Sequence, residues 1–182
     1  TSIDETRPVA RLELRDVQAE LLGEEAGAGA GGDVRVLSAL AGAGDAAAAV
    51  LAAEAVGAAD RALERTVAYA RQREQFGRPV GAFQAVKHLC AELLVRVEVA
   101  RAAVYAAAVT ADPVDIAAAR LLADEAAVRG ARDGLQVHGG MGFTWEADVH
   151  LCLKRAWVRA ERGGSITESE ELLAGELLSE AV

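Results

Sequence analysis

The sequence predicts a mainly α protein, an antiparallel four-helix bundle preceded by one or two strands of an incomplete β domain. Three observations carry this reading. Alanine, the best helix former, dominates a chain in which aromatics make up only 4% of residues. Apolar side chains recur at three- and four-residue spacing over long stretches, the mark of one buried helix face. The connections between those stretches are short, as antiparallel neighbours in a bundle require.

The elements follow in order. Residues 1–23 differ from the rest: Val9-Ala10-Arg11-Leu12-Glu13-Leu14 alternates apolar and charged side chains, as a half-buried strand does, and Asp16 to Gly23 reads as a second extended piece. Two strands make no stable sheet alone, so this stretch is expected to be the tail of a sheet that begins before Thr1. Residues 24–44, with Gly27, Gly29, Gly31 and Gly32, have the composition of a flexible linker, interrupted by a short apolar piece at Val34-Arg35-Val36-Leu37. The helical domain is expected over 45–182. Asp45 is a plausible N-cap for a first helix reaching Phe76, which Gly77 to Gly81 then breaks. A second helix is expected from Phe83 to Val109. Asp112-Pro113 turns the chain into a third, from Val114 to Val137. A glycine-dense turn leads to a fourth from Ala147 to Arg162, and Ser165 or Thr167 can cap a short acidic helix over Glu168 to Glu180.

Composition removes several function classes. A net charge of −9 disfavours nucleic-acid binding, which calls for a basic face. No apolar run is expected to reach the ~20 residues needed to cross a bilayer. Cys90 and Cys152 stand apart without metal-ligand spacing or a disulfide framework; a reducing, cytoplasmic setting is the expectation.

Two stretches could carry chemistry. In the first, Arg73 and Arg78 flank a sharp turn at Gly77, where a guanidinium can hold a phosphate through paired hydrogen bonds. Gln75 and Gln84 add amide groups, and Phe76 and Phe83 can wall a flat ring. A solvated face is the competing reading, and Arg61 and Arg65 are assigned to it. The second stretch is Gln136-Val137-His138-Gly139-Gly140-Met141-Gly142-Phe143. Its glycines serve either as a helix stop or as a place where backbone approaches a ligand.

Together these residues resemble a known family. Tyr69-Ala70-Arg71-Gln72-Arg73-Glu74-Gln75-Phe76-Gly77-Arg78-Pro79-Val80-Gly81-Ala82-Phe83-Gln84 is similar to the segment joining the first two C-terminal helices of acyl-CoA dehydrogenases. Gln136 to Phe143 resembles that family's second signature, in the right order and at a fitting distance. Ala55-Val56-Gly57 and the stretch from Thr6-Arg7-Pro8 to Leu22 are compatible with it. The resemblance covers most of the chain, without the family's N-terminal helical domain and most of its middle β domain. It implies FAD as cofactor, bound across a subunit interface. Arg73 and Gln75 match positions contacting its adenosine and pyrophosphate end; Phe76, Phe83 and Gln84 match residues of the same groove; Gln136, Val137, Gly139 and Gly140 match the loop approaching the cofactor. His88, where many relatives have glutamine, is read as packing or as a polar residue behind the site.

The resemblance also implies a reaction: a carboxylate removes the α proton of an acyl-CoA while hydride passes to the flavin. Counted without gaps, the usual base position falls on Gly163 and the alternative one, early in the first helix, on Ala47. Neither can take a proton. Glu161 and Glu54 are the nearest acids and, with Glu146, are read as exposed or ion-paired; Glu161 stays as the weak alternative and Gly164 as a weak substrate contact. The expectation is therefore a subunit that helps bind FAD and lacks its own catalytic glutamate. Its partners would be a homologous subunit in a hetero-oligomer or a second copy of itself, with electron-transfer flavoprotein or a similar acceptor. Relatives acting on bulky or steroid-derived acyl chains are the precedent. The alternatives are a complete homomeric dehydrogenase with its base elsewhere, and a non-catalytic helical scaffold.

Overall fold

The computed structural model describes residues 2–18, 31–162, 164 and 166–179. Five helices account for most of them: α1 (Gly31–Gln72), α2 (Gln84–Thr110), α3 (Pro113–His138), α4 (Val149–Ala160) and α5 (Ile166–Ser179). The mainly α expectation holds. α3 is the hub and packs against each of the other four helices. Only Ala111 and Asp112 separate α2 from α3, so two helices that pack on each other across so short a link must run antiparallel.

The core is built from small side chains. Ala52, Ala55, Val56 and Ala59 of α1 meet Leu93, Val97 and Ala100 of α2 and Ala119, Ala123, Ala126 and Ala127 of α3, all buried. Alanine at these positions lets helix backbones approach closely. Two glycines of α3 extend the same logic: a Cβ on Gly130 would come within 2.3 Å of Leu93 Cδ1, and one on Gly134 within 2.7 Å of Thr66 Oγ1. Asp112 caps α3 by accepting hydrogen bonds from Val114 N (2.9 Å) and Asp115 N (3.3 Å), with Pro113 in the first turn.

Four expectations change. α1 begins at Gly31, not Asp45, so the part of the proposed linker from Gly31 to Gly44 is helical, as is the backbone of 34–37; residues 24–30 lie outside the described residues. Alanine, leucine and serine between the glycines outweigh the glycine penalty of ~1 kcal/mol per residue once helix propagates from the core outward. Val9–Leu14 forms no strand: these residues have no regular secondary structure and are exposed, since a strand needs a neighbour and none of the described residues supplies one. The second extended piece lies partly outside the described residues. α1 also ends at Gln72, before Phe76, because residues 74–79 fold into a hairpin. Contrary to the expectation that no apolar run is long enough, its stretch from Arg35 to Gln72 holds a window long and apolar enough, by length and composition, to cross a bilayer, and only 6% of that window is buried; on the same helix Ala52, Ala55 and Ala59 are buried in the core with α2 and α3.

Candidate functional site

The two glycine-bearing stretches meet at one end of the bundle. After α1, Glu74–Gln75 (β1) pairs antiparallel with Arg78–Pro79 (β2), with Gln75 opposite Arg78. The two residues between them, Phe76 at φ 55° and Gly77 at φ 74°, both take the left-handed region, as a tight two-residue hairpin turn demands. Arg73 anchors the hairpin at both ends: its N donates to Tyr69 O (2.8 Å) and its O accepts from Val80 N (2.7 Å). A Cβ on Gly81 would lie 2.8 Å from Ala70 O, so the turn that follows seats directly on the end of α1.

Across from the hairpin, α3 stops at Gly139, whose φ of 61° and ψ of −143° suit glycine almost alone. A 3-10 turn, Gly139–Phe143, follows. Its glycines have separate reasons to be there. Gly139 supplies the backbone conformation. Gly142 is buried, and a Cβ there would lie 2.9 Å from Leu135 O. Gly140 has neither constraint: nothing stands within 4 Å of where its Cβ would be.

Between these walls runs an open groove of about 390 Å³, lined by Tyr69, Arg73, Gln75 and Val80 on one side and Val137, His138, Gly139, Gly140 and Met141 on the other. This volume lies within the usual range for small-molecule sites, roughly 300–1,000 Å³. The Tyr69 and His138 rings stack at 4.0 Å, Tyr69 OH donates to His138 O (3.3 Å), and His138 Nδ1 lies 2.7 Å from Gly134 O. This stack ties the two motifs together. His138 and Tyr69 were quoted in the motifs without a role; an aromatic and a histidine bracketing both glycine turns were the available signal.

Arg73 is exposed and forms no ion pair among the described residues, so its guanidinium is available to an anion. Of the remaining predicted residues, Gln136 is exposed beside the groove without lining it. Phe76, Phe83 and Gln84 do not line the groove. Phe76 is 91% exposed and meets Phe83 edge-on at 6.1 Å, Arg78 lies 4.3 Å over the Phe83 ring, and Gln84 Nε2 is 3.0 Å from His88 Nε2.

The expected base positions lead to a second cavity, of about 150 Å³. Ala48 and Gly164, sequence neighbours of Ala47 and Gly163, both line it, with Asp45, Arg120 and Glu168. Gly163 itself lies outside the described residues. Asp45, expected as an N-cap, is interior to α1 and faces this cavity instead. The turn beside it is held by a network the sequence did not disclose. Arg120 and Arg159, both buried, converge on buried Asp124, at 2.9 Å and 3.2 Å, and Arg120 Nη2 donates to Arg162 O and to Gly164 O (3.1 Å). Burial pushes the Arg159 pKa down despite Asp124.

The three other acids are placed as follows. Glu54 accepts from Arg7 (3.0 Å) and Arg155 (2.9 Å), and the Arg155 hydrogen bond above all holds its pKa below the usual 4.5, which makes it a poor proton acceptor. Glu161 caps the end of α4, exposed. Glu146 is exposed next to Trp145.

A helical bundle with an alanine core, a groove joining a hairpin arginine to a glycine turn, and a cavity reached by the α4–α5 connection are the architecture expected of an acyl-CoA dehydrogenase C-terminal domain. The family model "Acyl-CoA dehydrogenase, C-terminal domain" matches residues 38–173, and the chain belongs to that family. It is 53% identical over 112 residues to the acyl-CoA dehydrogenase IpdE2 of Mycobacterium tuberculosis, a match covering 62% of this chain and 35% of that one. Among solved structures it is similar to PigA with FAD and proline (31% identity, TM-score 0.71, 74% of this chain and 36% of that one). A variant of the Tcur3481-Tcur3483 steroid ACAD is equally similar (31% identity, TM-score 0.70, 75% and 39%). The chain thus spans little more than a third of the length of these relatives. The family's members are FAD-dependent flavoproteins.

Proposed function

We propose that this chain is part of an FAD-dependent acyl-CoA dehydrogenase, acting on the α,β bond of an acyl-CoA thioester, and that it contributes a face of the flavin site without contributing the base. The observation that carries the proposal is the groove, because it joins Arg73 and Gln75 to Val137, Gly139 and Gly140 and leaves the Arg73 guanidinium without an ion pair among the described residues. The groove fits the adenosine and pyrophosphate end of FAD: Arg73 would pair with a phosphate, Gln75 would offer its amide, and Gly140 leaves open the space a Cβ would fill. When bound, FAD supplies acceptance of a hydride from the acyl Cβ. Phe76, Phe83, Gln84 and Gln136 lie outside the groove and are assigned to the neighbouring subunit's side of the same site.

Assembly with a homologous subunit, or with a second copy, is supported by two exposed features. The side of α2 opposite Leu93, Val97 and Ala100 carries Val95, Val99, Tyr105 and Val109, all about half exposed or more. Phe76 stands almost fully exposed on a backbone conformation costly to a bulky residue. Electron-transfer flavoprotein or a similar acceptor would reoxidise the flavin. Bulky or steroid-derived acyl chains are the favoured substrates, by likeness to the steroid ACAD. The cytoplasm, where Cys90 and Cys152 would stay reduced, is the proposed setting.

A second reading is favoured by the cavity at Ala48 and Gly164. Asp45 and Glu168 both line it, so a carboxylate other than the expected one is within the same enclosure. Purification alone and with a homologous partner, followed by mass determination and acyl-CoA-dependent dye reduction, separates the two. The first reading expects flavin and turnover only in the mixed assembly. Turnover by this chain alone, abolished by Glu168→Gln or Asp45→Asn, establishes the second; a colourless assembly with no flavin leaves the scaffold reading.

A further inference from the structure

A third cavity lies between α1, α4 and the N-terminal segment, and none of the roles above uses it. It is small, about 30 Å³, the room of one compact polar group. Arg7, Arg155, Arg159 and Arg162 line it, against two carboxylates, Asp4 and Glu54. In a chain of net charge −9 this is a local excess of positive charge. Each acid in or beside the cavity already accepts hydrogen bonds. A single oxygen of Glu54, Oε1, takes both Arg7 and Arg155. Asp4 is buried and turned on its own loop, accepting from Thr6 N (3.0 Å) and Thr6 Oγ1 (2.5 Å). Asp124 is shared between Arg120 and Arg159.

Two guanidinium groups therefore keep unused donors. Arg159 is 96% buried by its 4% exposure, yet its Nη1 has no hydrogen-bond partner among the described residues. Arg162 forms no ion pair among them. A buried charged donor without an acceptor is costly, and native proteins seldom leave one without a ligand or solvent to meet it.

We infer that this four-arginine cavity is a carboxylate-binding pocket that receives the far end of an acyl chain carrying a terminal carboxylate. A guanidinium is a planar fork suited to a carboxylate, and the cavity is too small for a bulkier group. Its placement gives the source. Leu51 and Glu54 stand four and seven residues after Ala47 on the same helix face, so Glu54 lies about 10 Å further along α1. Arg162 immediately precedes Gly163. Leu51 and Val158 add apolar wall suited to a methylene chain. An acyl group whose thioester end sits at the expected base positions would extend toward the arginines. This assignment of source rests on the acyl-CoA dehydrogenase reading; the carboxylate pocket itself does not.

The isolated assembly with its flavin provides the test, using lauroyl-CoA, dodecanedioyl-CoA and free acetate as probes. Calorimetry should show dodecanedioyl-CoA binding about tenfold more tightly than lauroyl-CoA, an advantage lost in Arg162→Gln and enlarged in Glu54→Gln, which removes a competing negative charge. The Arg162 side chain is exposed and has no ion pair among the described residues, so that variant should fold normally. Acetate, compared with chloride at equal ionic strength, should shift the Arg159 Nε–H resonance in the wild type and shift it less in Arg162→Gln. If acetate acts so but neither CoA ester binds, the pocket stands and the acyl-CoA reading fails. If lauroyl-CoA binds as tightly as dodecanedioyl-CoA and acetate leaves Arg159 unmoved, the pocket is overturned and the acyl-CoA reading survives. Silence from all three probes overturns both.

Discussion

Phe76 and Glu54 show how much a single side chain discloses once its surroundings are known. Phe76 combines near-complete exposure with positive φ, two costs that the fold of this chain does not repay. Replacing it by asparagine, the residue preferred before glycine in such turns, should raise the stability of the chain by about 1 kcal/mol. The same change should weaken flavin retention or subunit association; thermal unfolding and flavin content measured on one preparation check both halves. Glu54 gives a pH prediction. Its folded pKa is held below its ordinary value of 4.5, first by the Arg155 hydrogen bond. A carboxylate with a lowered folded pKa contributes stability that is complete above the unfolded pKa and is lost as pH falls through the folded one. The wild type should therefore lose more stability than Glu54→Gln when pH drops below about 4.5, and equal losses in urea titrations would remove the pair from the account. The residue is a third exposed, so the effect is small. Sequence alone left Glu54 among exposed or ion-paired acids and gave no partner, because Arg7 and Arg155 lie far from it along the chain.

At the scale of elements, the helices were legible and their joints were not. α2 and α3 appear within a residue or so of where apolar spacing, Asp112 and Pro113 set them. The start of α1 was misplaced because isolated glycines read locally as linker, whereas a helix anchored by Ala52, Ala55 and Ala59 extends through them. The hairpin at 74–79 was missed because Phe-Gly is an unusual turn pair, with nothing in it but Gly77 to suggest positive φ. The buried Asp124 cluster was invisible for another reason: Arg120, Asp124 and Arg159 look like ordinary polar positions on helix faces until α3 and α4 are packed together. Its weight can be measured. Asp124→Asn leaves two buried guanidinium groups without their carboxylate and should cost about 3 kcal/mol or more, read by chemical unfolding. The same substitution should loosen the turn held through Arg162 O and Gly164 O, seen as faster amide exchange there. Gly130→Ala probes the close helix approach, since its methyl would drive into Leu93; a loss of about 1–3 kcal/mol is expected.

The whole molecule is a bundle whose two glycine turns converge at one end, and that convergence is the central claim. Motif order along the sequence was enough to pair the turns, and the groove between them brings five of the nine expected cofactor residues together: Arg73, Gln75, Val137, Gly139 and Gly140. Spacing could not say that Phe76, Phe83, Gln84 and Gln136 would lie outside its lining, since that depends on how the hairpin, the start of α2 and the last turn of α3 are set in space. The most direct measurement is the flavin content per assembly of Gly140→Ala beside the wild type. A methyl at Gly140 touches nothing within 4 Å and needs no strained backbone, so the fold should be unaffected and unfolding curves should coincide. If the dinucleotide passes along this groove, retained FAD should fall several-fold. Full retention in a normally folded Gly140→Ala assembly would place the flavin elsewhere and contradict the account.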